Sequence, residues 1–437
     1  MNIKTIPPFS KIKLQAKDQT YEGILMPEED DTVMLKLNSG YVLGFEKKTI
    51  KKVELIIPHQ EHEQVIKKTN STASMKPESV VVVNTGGTIS SKVDYKTGAV
   101  VASFDPNTLI SLFPELSEMA TIETEFVANI MSDNFRLHNF NLVAQAIHKR
   151  ALKGQTKFIV TCGTDFLHYA SAALSFLLKD LPVSVIVVGS QRSSDRPSTD
   201  AASNLINAVY FLQNKVFQGV LICMHSTSSD EACNILPGVN VRKMHSSRRD
   251  AFKPINSDVI ALVDFQKNSI MMNIEFKPIM QHPIPDKLPL FNENLKIGLV
   301  YSHPQFYSDE LSCFDKFDGL VLAGSGFGHF PVISSDDSSK EHTKILKRIA
   351  ELAKKMPVVM TTQTISGQVN LNVYTPLRMI QEAGVLGHLS TMITETTYIK
   401  LAYLLSTAKK SDVPTLLMTN MLGELDNEKY FSFQNQE

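Results

Sequence analysis

The chain has 437 residues, of which 43% are hydrophobic and 20% are charged, and its formal net charge is −1. This composition excludes a disordered chain, and the length predicts two or three domains. The lack of a basic excess argues against a surface that binds nucleic acid without help from another chain. No apolar run is long enough to span a membrane, and the start of the chain contains no apolar signal-peptide core, so we expect a cytoplasmic protein.

The first 57 residues predict a small all-β domain with a barrel-like fold. Their segments alternate between polar and apolar residues and are separated by short turns, which is typical of closely spaced strands. These segments are KIKLQAK, TYEGILM, TVMLKLN and YVLGFEK. We assign no chemistry to this domain. Residues 58–78 lose the apolar periodicity and predict a polar linker to the rest of the chain.

Apolar strands alternate with helices from residue 79 onward. Continuous apolar runs are typical of parallel strands that are covered on both faces. The first set of runs predicts a doubly wound parallel α/β domain over residues 79–283. This set comprises SVVVVN, TKFIVTC, VSVIVVGS and GVLICM. A second set predicts another α/β domain over residues 284–437, and it comprises KIGLVYSH, GLVLAGSG and VVMTTQ.

Glycines and hydroxyl side chains follow the first two strands of the 79–283 domain. The motifs are TGGT at residues 85–88 and CGTD at residues 162–165. Because ligands of parallel α/β sheets bind at the carboxyl ends of the strands, we expect both motifs to line one crevice. The glycines let backbone N–H groups approach an anion or a developing oxyanion. A threonine nucleophile would need a base. Neither motif contains a histidine, so a lysine kept neutral by burial or an aspartate would have to serve.

Several other kinds of site are not indicated. TGGTIS is not a GxGxxG dinucleotide motif, and no GxxxxGK[ST] phosphate loop occurs. The four cysteines are widely spaced, which predicts reduced thiols and no zinc site. Cys162 is an alternative nucleophile, but a catalytic cysteine needs a nearby histidine or positive helix end, and neither is indicated. We therefore predict no metal site and a structural role for Cys162.

Two motifs and several longer blocks resemble one known family. TGGTI followed by GTD resembles the asparaginase family. The longer blocks resemble the D subunit of archaeal glutamyl-tRNA(Gln) amidotransferases, and so does the strand-rich N-terminal segment, which simple asparaginases lack. These blocks are SKVDYKTGAV, GSQRSSDRPSTDAASNL, KMHSSRRDAFKPIN and SGQVNLNVY. The resemblance covers nearly the whole chain and implies a pair of asparaginase-like α/β domains preceded by a β domain.

The resemblance also implies roles for individual residues. Thr88 matches the family's nucleophile, which attacks a side-chain amide. Thr164, Asp165 and Lys243 match the threonine, aspartate and lysine that form a proton relay with it. A lysine that is neutral or shares its proton would take the proton of the hydroxyl. Without the resemblance, Lys243 would be interpreted as one partner of a surface ion pair.

Two further residues match substrate-binding residues of the family. Tyr95 corresponds to a tyrosine on the loop after the nucleophile, and Ser132 corresponds to the serine that holds the substrate α-carboxylate. Asp165 would also attract the substrate α-amino group. The sequence departs from the family pattern at Cys162, where a histidine is usual, and at Phe166, where a threonine is usual. These departures affect the expected pocket shape and substrate preference.

The resemblance implies a glutaminase subunit. It would hydrolyse glutamine and supply ammonia to the amidotransferase's E subunit, which would bind ATP and magnesium and convert Glu-tRNA(Gln) to Gln-tRNA(Gln). This chain would bind no cofactor itself, would contact the tRNA mainly through the partner, and would form a homodimer core within a heterotetramer. Two alternatives stay open. One is a free-standing L-asparaginase or glutaminase, which the extra β domain disfavours, and the other is a non-catalytic binding module on the same fold.

Overall fold

The computed structural model describes most of the chain. The described residues are 3–7, 10–16, 19–26, 32–37, 42–57, 79–87, 91–94, 99–102, 115–193, 199–229, 232–276 and 283–425. The predicted nucleophile Thr88, the predicted loop residue Tyr95 and the predicted linker at 58–78 lie outside the described residues. Their roles stay predictions, and so do the boundaries of the predicted domains.

The N-terminal segment forms an antiparallel sheet with its own core, which confirms the predicted all-β domain. Its strands are β1 (Lys11–Ala16), β2 (Gln19–Leu25), β3 (Thr32–Leu37), β4 (Val42–Glu46) and β5 (Ile50–Ile57). They are arranged in the order β4-β3-β2-β1-β5, so β4 and β5 form the edges. Alternate side chains, such as Ile12 and Leu14 of β1, are completely buried. This follows from the strand geometry, because successive residues point to opposite faces of the sheet.

The region from residue 79 to residue 276 contains an eight-stranded sheet and two separate strand pairs. Its strands are β6 (Val80–Asn84), β7 (Ser91–Asp94), β8 (Ala99–Ala102), β9 (Ile122–Phe126), β10 (Lys157–Thr161), β11 (Ser184–Val188), β12 (Gly219–His225), β13 (Cys233–Pro237), β14 (Val241–Lys243), β15 (Phe252–Pro254), β16 (Ala261–Asp264) and β17 (Ser269–Met272). The large sheet has the order β17-β16-β13-β12-β11-β10-β6-β9, while β7 pairs with β8 and β14 pairs with β15.

The large sheet is parallel in one half and antiparallel in the other. Strands β12, β11, β10, β6 and β9 run parallel to one another, as predicted for a doubly wound domain. Strands β13, β16 and β17 extend it in antiparallel fashion, which the sequence did not predict. The reason is the connection from β12 to β13, which is too short for the crossover of a dozen or more residues that parallel strands need.

Helices cover both faces of this sheet, as the continuous apolar runs predicted. They are α1 (Glu115–Met119), α2 (Leu137–Ala151), α3 (Leu167–Leu177) and α4 (Ala201–Asn214). Val81 and Val83 belong to the hydrophobic core that contains α2 and α3, whereas Val80 and Val82 belong to the core that contains α1 and α4. Strand β6 therefore contributes to two cores, because its side chains alternate between the two faces.

The C-terminal region is a three-stranded parallel sheet with flanking helices. Its elements are β18 (Ile297–Tyr301), β19 (Gly319–Gly324), β20 (Val358–Thr362), α5 (Glu341–Lys355), α6 (Thr375–Glu382), α7 (Thr394–Thr407) and α8 (Val413–Leu417). The strand order β18-β19-β20 confirms the three predicted strands. Helix α7 packs against α3, where the rings of Phe176 and Tyr403 stack at 5.4 Å. One core therefore joins the two α/β regions. No helix in the described ranges has the length and apolarity that a membrane crossing requires.

Candidate active site

The loops after β6 and β10 meet at the carboxyl edge of the parallel strands. Asn84 at the end of β6 is paired with Thr161 at the end of β10. Thr85 Oγ1 donates a hydrogen bond to the Thr161 carbonyl oxygen at 2.7 Å. Gly87 has a φ of +79°, and a Cβ at this position would lie 2.3 Å from the backbone nitrogen of Gly163. The two loops therefore touch backbone to backbone, and this contact requires a glycine at position 87.

Three of the four residues that we predicted to be catalytic lie together at this edge. Lys243 Nζ donates a hydrogen bond to Thr164 Oγ1 at 2.9 Å and forms an ion pair with Asp165 Oδ1 at 2.9 Å. Thr164 is buried, and the side chain of Lys243 is 11% exposed, whereas that of Asp165 is 68% exposed. The cluster thus combines an enclosed amine–hydroxyl contact with a carboxylate that is open to solvent. The fourth residue, Thr88, is the next residue in the chain after Gly87.

Lys243 is held by a short hairpin. It is the last residue of β14, and it lies opposite Phe252 of β15. In the turn between these strands, Arg248 donates two hydrogen bonds of 2.9 Å to the Asp250 carboxylate. Such a bidentate pair fixes the relative position of both side chains. The lysine therefore extends from a backbone that is fixed on both strands.

Ser132, which we predicted to hold the substrate α-carboxylate, lies beside the same loop. It is buried and begins a short 3₁₀ helix, Ser132–Asn134. Its Oγ accepts a hydrogen bond from the backbone nitrogen of Phe166 at 3.1 Å. A Cβ on Gly163 would come within 2.8 Å of that oxygen. Ser132 therefore adjoins the loop that carries Thr164, while its contact with a substrate stays a prediction.

Gln191 is a further member of the cluster, and the sequence patterns assigned it no role. It follows β11, the parallel strand next to β10, and its Oε1 accepts a hydrogen bond from Thr164 Oγ1 at 3.3 Å. Its backbone nitrogen donates to both carboxylate oxygens of Asp200, each at 3.0 Å, and Asp200 is completely buried. The available sequence signal was the position of GSQR after a buried strand. Nothing in the sequence indicates the contact with Thr164.

Cys162 is completely buried. Burial raises the pKa of its thiol to about 12, against a smaller opposing effect of a hydrogen bond with Thr85. The thiolate is the reactive form of cysteine, so a thiol with this pKa is a poor nucleophile at neutral pH. This result agrees with a structural role for Cys162. In the part of the chain that the structure describes, no group of three or more His, Cys, Asp or Glu side chains could hold a metal ion.

A buried group of charged and polar side chains lies next to Lys243 and includes Arg242, the preceding residue of β14. Arg242 donates two hydrogen bonds of 2.9 Å to Glu395, which lies in the first turn of α7. Their side chains are 18% and 12% exposed. His168 Nε2 lies 3.9 Å from Glu395 Oε1. Burial, reinforced by the charge of Arg242 and opposed by that of Glu395, lowers the pKa of His168 to about 4. The ion pair therefore connects the lysine hairpin to the C-terminal region next to a neutral imidazole.

A separate cavity of about 290 Å³ lies between the two α/β regions. Its walls combine aromatic and aliphatic side chains, and the aromatic ones include Phe135, Phe166, Tyr169 and Tyr398. The cavity is not lined by Thr164, Asp165 or Lys243. Phe166, which stands where the family resemblance leads us to expect a threonine, thus contributes its side chain to this cavity, while its backbone nitrogen binds Ser132.

Comparison with known protein families identifies three matching regions. Residues 79–276 match the family described as "Asparaginase, N-terminal", and residues 296–415 match the "Glutaminase/Asparaginase C-terminal domain". Residues 6–56 match the "GatD N-terminal domain". The first match includes the loops that carry Thr164, Asp165 and Lys243, and the third covers the antiparallel β domain.

Curated relatives match over almost their full length. The chain is 35% identical over 420 residues to the D subunit of a glutamyl-tRNA(Gln) amidotransferase from Methanococcus maripaludis strain S2, which covers 95% of this chain and 97% of that protein. It is 36% identical over 438 residues to the D subunit from Methanococcus vannielii, which covers 96% of this chain and 99% of that protein. The D subunit from Sulfolobus acidocaldarius is 33% identical, with coverage of 95% and 91%.

Solved structures of L-asparaginases share the fold of the two α/β regions. The thermostable L-asparaginase from Thermococcus kodakarensis superimposes with a TM-score of 0.66 at 27% identity, which covers 80% of this chain and 100% of that chain. L-asparaginase I from Vibrio cholerae gives a TM-score of 0.67 at 21% identity with the same coverage, and this likeness concerns the fold alone. These enzymes are shorter than this chain, since their whole length corresponds to only four fifths of it.

Proposed function

Since the chain belongs to the asparaginase family and, within it, to the D subunits of glutamyl-tRNA(Gln) amidotransferases, we propose that it hydrolyses glutamine and supplies the ammonia to a partner subunit. The observation that carries this proposal is the contact of Lys243 Nζ with Thr164 and Asp165, at 2.9 Å each. This contact lies beside Gly87, which precedes Thr88 in the chain. A carboxamide is unreactive, so a hydroxyl nucleophile needs an activating base, and we propose Lys243 for that role.

The proposed reaction forms and hydrolyses an ester on Thr88. Lys243 would first pass a proton to Asp165 and then, as a neutral amine, take the Thr88 hydroxyl proton with the help of Thr164. The Thr88 oxygen then attacks the carboxamide carbon, and the nitrogen accepts a proton and leaves as ammonia. Water hydrolyses the resulting ester and releases glutamate. Backbone N–H groups next to Thr88 and Thr164 would stabilise the oxyanion, and each such donor lowers the barrier by roughly 3 kcal/mol.

The remaining predicted residues would bind the amino-acid part of the substrate. Ser132 would hold the α-carboxylate, because it lies beside the loop that carries Thr164. Asp165 would attract the α-amino group, and its high exposure leaves one carboxylate oxygen accessible to a ligand. Tyr95 would contact Thr88 from the loop that follows it.

The partner would complete the reaction in the cytoplasm. The D-subunit relatives carry the name of a glutamyl-tRNA(Gln) amidotransferase, so we propose that ammonia passes to the E subunit of such an enzyme, where ATP and magnesium activate Glu-tRNA(Gln). This chain would bind no cofactor, would contact the tRNA mainly through the partner, and would form the homodimer core of a heterotetramer. The alternative is a free-standing L-asparaginase. The β domain at residues 6–56 and the full-length match to D-subunit relatives both disfavour it.

Ammonia release from glutamine tests the proposal. The proteins to compare are wild type, Thr88→Ala and Lys243→Met, each with and without the partner protein and tRNA. Loss of the nucleophile or of the base should lower the rate by about 10²- to 10⁴-fold. Lys253→Met is the matched control, because this lysine lies on β15 opposite Arg242 and contacts Ser226 and Asp250. Equal rates for wild type and Thr88→Ala would reject the nucleophile, and rates that both equal the uncatalysed background would favour a non-catalytic module. Full turnover of asparagine by the chain alone would favour the free-standing enzyme.

A further inference from the structure

We propose that Gln191 is a substrate-binding residue, whose side-chain amide joins Thr164 to the oxygen of the reacting carbonyl group. Its Oε1 accepts the hydrogen bond of Thr164 Oγ1, and its Nε2 would donate to the substrate. This inference rests on the proposed function, because it assumes that an amino-acid amide reacts beside Thr164. It adds a residue and a specificity contact that the family-based prediction does not contain.

The first supporting observation is an unsatisfied donor. Gln191 Nε2 is buried and has no hydrogen-bond partner among the described residues. Burying an N–H group without an acceptor costs the free energy of its lost hydration, and nearly all buried polar groups in native proteins are therefore paired. The unpaired Nε2 of Gln191 therefore needs an explanation. A ligand that brings an acceptor to this position provides one.

The second observation is the location of the donor. Nε2 and Oε1 belong to one planar amide group, and Oε1 is 3.3 Å from Thr164 Oγ1. The same Thr164 oxygen accepts the hydrogen bond of Lys243 Nζ at 2.9 Å. The unsatisfied donor therefore lies one hydrogen bond away from the proposed proton relay. The donor belongs to the hydrogen-bonded cluster of Thr164 and Lys243, at the carboxyl edge where the loops after β10 and β11 meet.

The third observation is a fixed backbone. The backbone nitrogens of Gln191 and Arg192 donate to the buried Asp200 carboxylate at 3.0 to 3.1 Å. The hydroxyls of Ser190 and Thr199 donate to the Arg192 carbonyl oxygen at 2.8 and 3.0 Å. These bonds fix the backbone at Gln191, and the hydrogen bond from Thr164 orients its side-chain amide. A group that is held in place before binding is what a binding site requires.

The chemistry of the donor restricts what it recognises. An amide N–H can bind an oxygen acceptor but cannot accept from the NH₂ group of a carboxamide. The acceptors of an amino-acid amide are its carbonyl oxygen and its α-carboxylate. Only the carbonyl oxygen has to lie beside Thr164 during the reaction, and Ser132 is the predicted partner of the carboxylate. We therefore assign the reacting carbonyl oxygen to Gln191 Nε2.

Two substitutions separate the two halves of the amide. Gln191→Glu retains an oxygen that accepts the Thr164 hydrogen bond and replaces the donor, while Gln191→Met removes both. Both should lower kcat/KM for glutamine by about tenfold or more, which corresponds to the loss of one buried hydrogen bond. Gln218→Met is the matched control, because it removes a glutamine amide whose Nε2 donates to the Lys179 carbonyl oxygen and has no contact to Thr164. It should stay within about twofold of wild type.

Stability distinguishes binding from a structural role. Gln191→Met removes an unsatisfied donor and also the acceptor of Thr164 Oγ1, and these two effects on stability oppose each other. Its melting temperature should therefore stay near that of wild type while its kcat/KM falls. A structural residue would lose stability and activity together. Wild-type kcat/KM in Gln191→Glu would overturn the inference, since only the acceptor would then matter. A fall in melting temperature that parallels the fall in activity would overturn it as well.

Glutamine binding separates this inference from the proposed function. Isothermal titration of Thr88→Ala with glutamine should give a Kd that rises by about tenfold when Gln191→Met is added. If the wild type binds glutamine but releases no ammonia, the proposed function fails and this titration still supports Gln191. Unchanged affinity, or no binding of glutamine by Thr88→Ala, would overturn the inference.

Discussion

Breaking the Arg242–Glu395 ion pair from one side should destabilise the protein much more than replacing both partners. Arg242→Met leaves the Glu395 carboxylate, 12% exposed, beside the neutral ring of His168. Removing one partner of a buried pair costs about 3–5 kcal/mol, because it leaves an uncompensated charge in a site of low polarity. The two side chains retain some exposure, so we expect the lower end, about 3 kcal/mol. The double variant Arg242→Met with Glu395→Leu should lose much less, since an apolar pair of similar volume is often neutral.

The pH dependence of this loss provides a second, independent expectation. Arg242 lowers the pKa of His168 and Glu395 raises it, so removal of Arg242 should raise the pKa of His168. As the pH falls, the protonated ring would then pair with Glu395 and replace part of the lost attraction. The deficit of Arg242→Met should therefore be smaller at pH 5 than at pH 7.5.

Urea unfolding followed by far-UV circular dichroism measures these differences. The four proteins of the cycle, namely wild type, both single variants and the double variant, are compared at both pH values. The coupling between the two sites follows from the cycle. The reasoning is refuted if the double variant is as unstable as the sum of the two single variants. It is also refuted if the deficit of Arg242→Met is the same at both pH values.

Three other predictions concern the surroundings of the site. The folded-state pKa of His168 is about 4, below its ordinary value of 6.5, so the folded state binds fewer protons in this range and stability falls as the pH drops from 6.5 through 4. Protonation of His168 should lower the free energy of unfolding by about 3 kcal/mol over this range. The histidine NMR signal that is absent in His168→Leu should titrate near pH 4 and not near pH 6.5. Cys162→Ala should retain glutamine hydrolysis within about threefold. Cys162 of the wild type should resist alkylation at pH 8, because only the thiolate reacts, whereas the exposed Cys313 can react. Inactivation by an alkylating reagent at Cys162 would contradict this expectation. Gly87→Ala should lower the melting temperature and abolish activity, because its Cβ would lie 2.3 Å from a backbone nitrogen. Gly154 has a similar φ but open space around it, so Gly154→Ala should lower the free energy of unfolding by only about 1–2 kcal/mol. Equal effects of the two substitutions would contradict the close contact.

The parts of the fold that follow from local patterns were predictable. The run Val80–Val83 has no polar residue, and each of its side chains is buried in one of two cores on opposite faces of the sheet. The antiparallel half was not predictable in the same way. Its strands are short, and their direction depends on the length of connections and not on the periodicity of the strands. Strand β9 was missed because its residues are only partly buried and polar residues interrupt its apolar pattern.

The site was predictable to the extent that it lies at strand ends. Thr164 and Asp165 follow a buried strand, so their chemistry could be inferred from position. Lys243 lies on a strand of three residues, and only the family resemblance identified it. Gln191 and Glu395 carry no sequence signal for their contacts, because an unsatisfied amide and an ion pair between residues 153 positions apart depend on tertiary packing. Thr88 and Tyr95 stay predictions.

The wide separation of contacting residues has a consequence for synthesis on the ribosome. Thr164 and Lys243 are 79 positions apart, and Arg242 and Glu395 are 153 positions apart. The N-terminal strands pair only with one another within the described residues, so their sheet can form early as the nascent polypeptide emerges. The hairpin that carries Arg242 and Lys243 is translated later, and Arg242 can form its ion pair only after Glu395 has been translated, 153 positions further on. A truncated product that lacks α7 would thus contain Arg242 without its carboxylate partner and would lack part of the core that joins the two α/β regions.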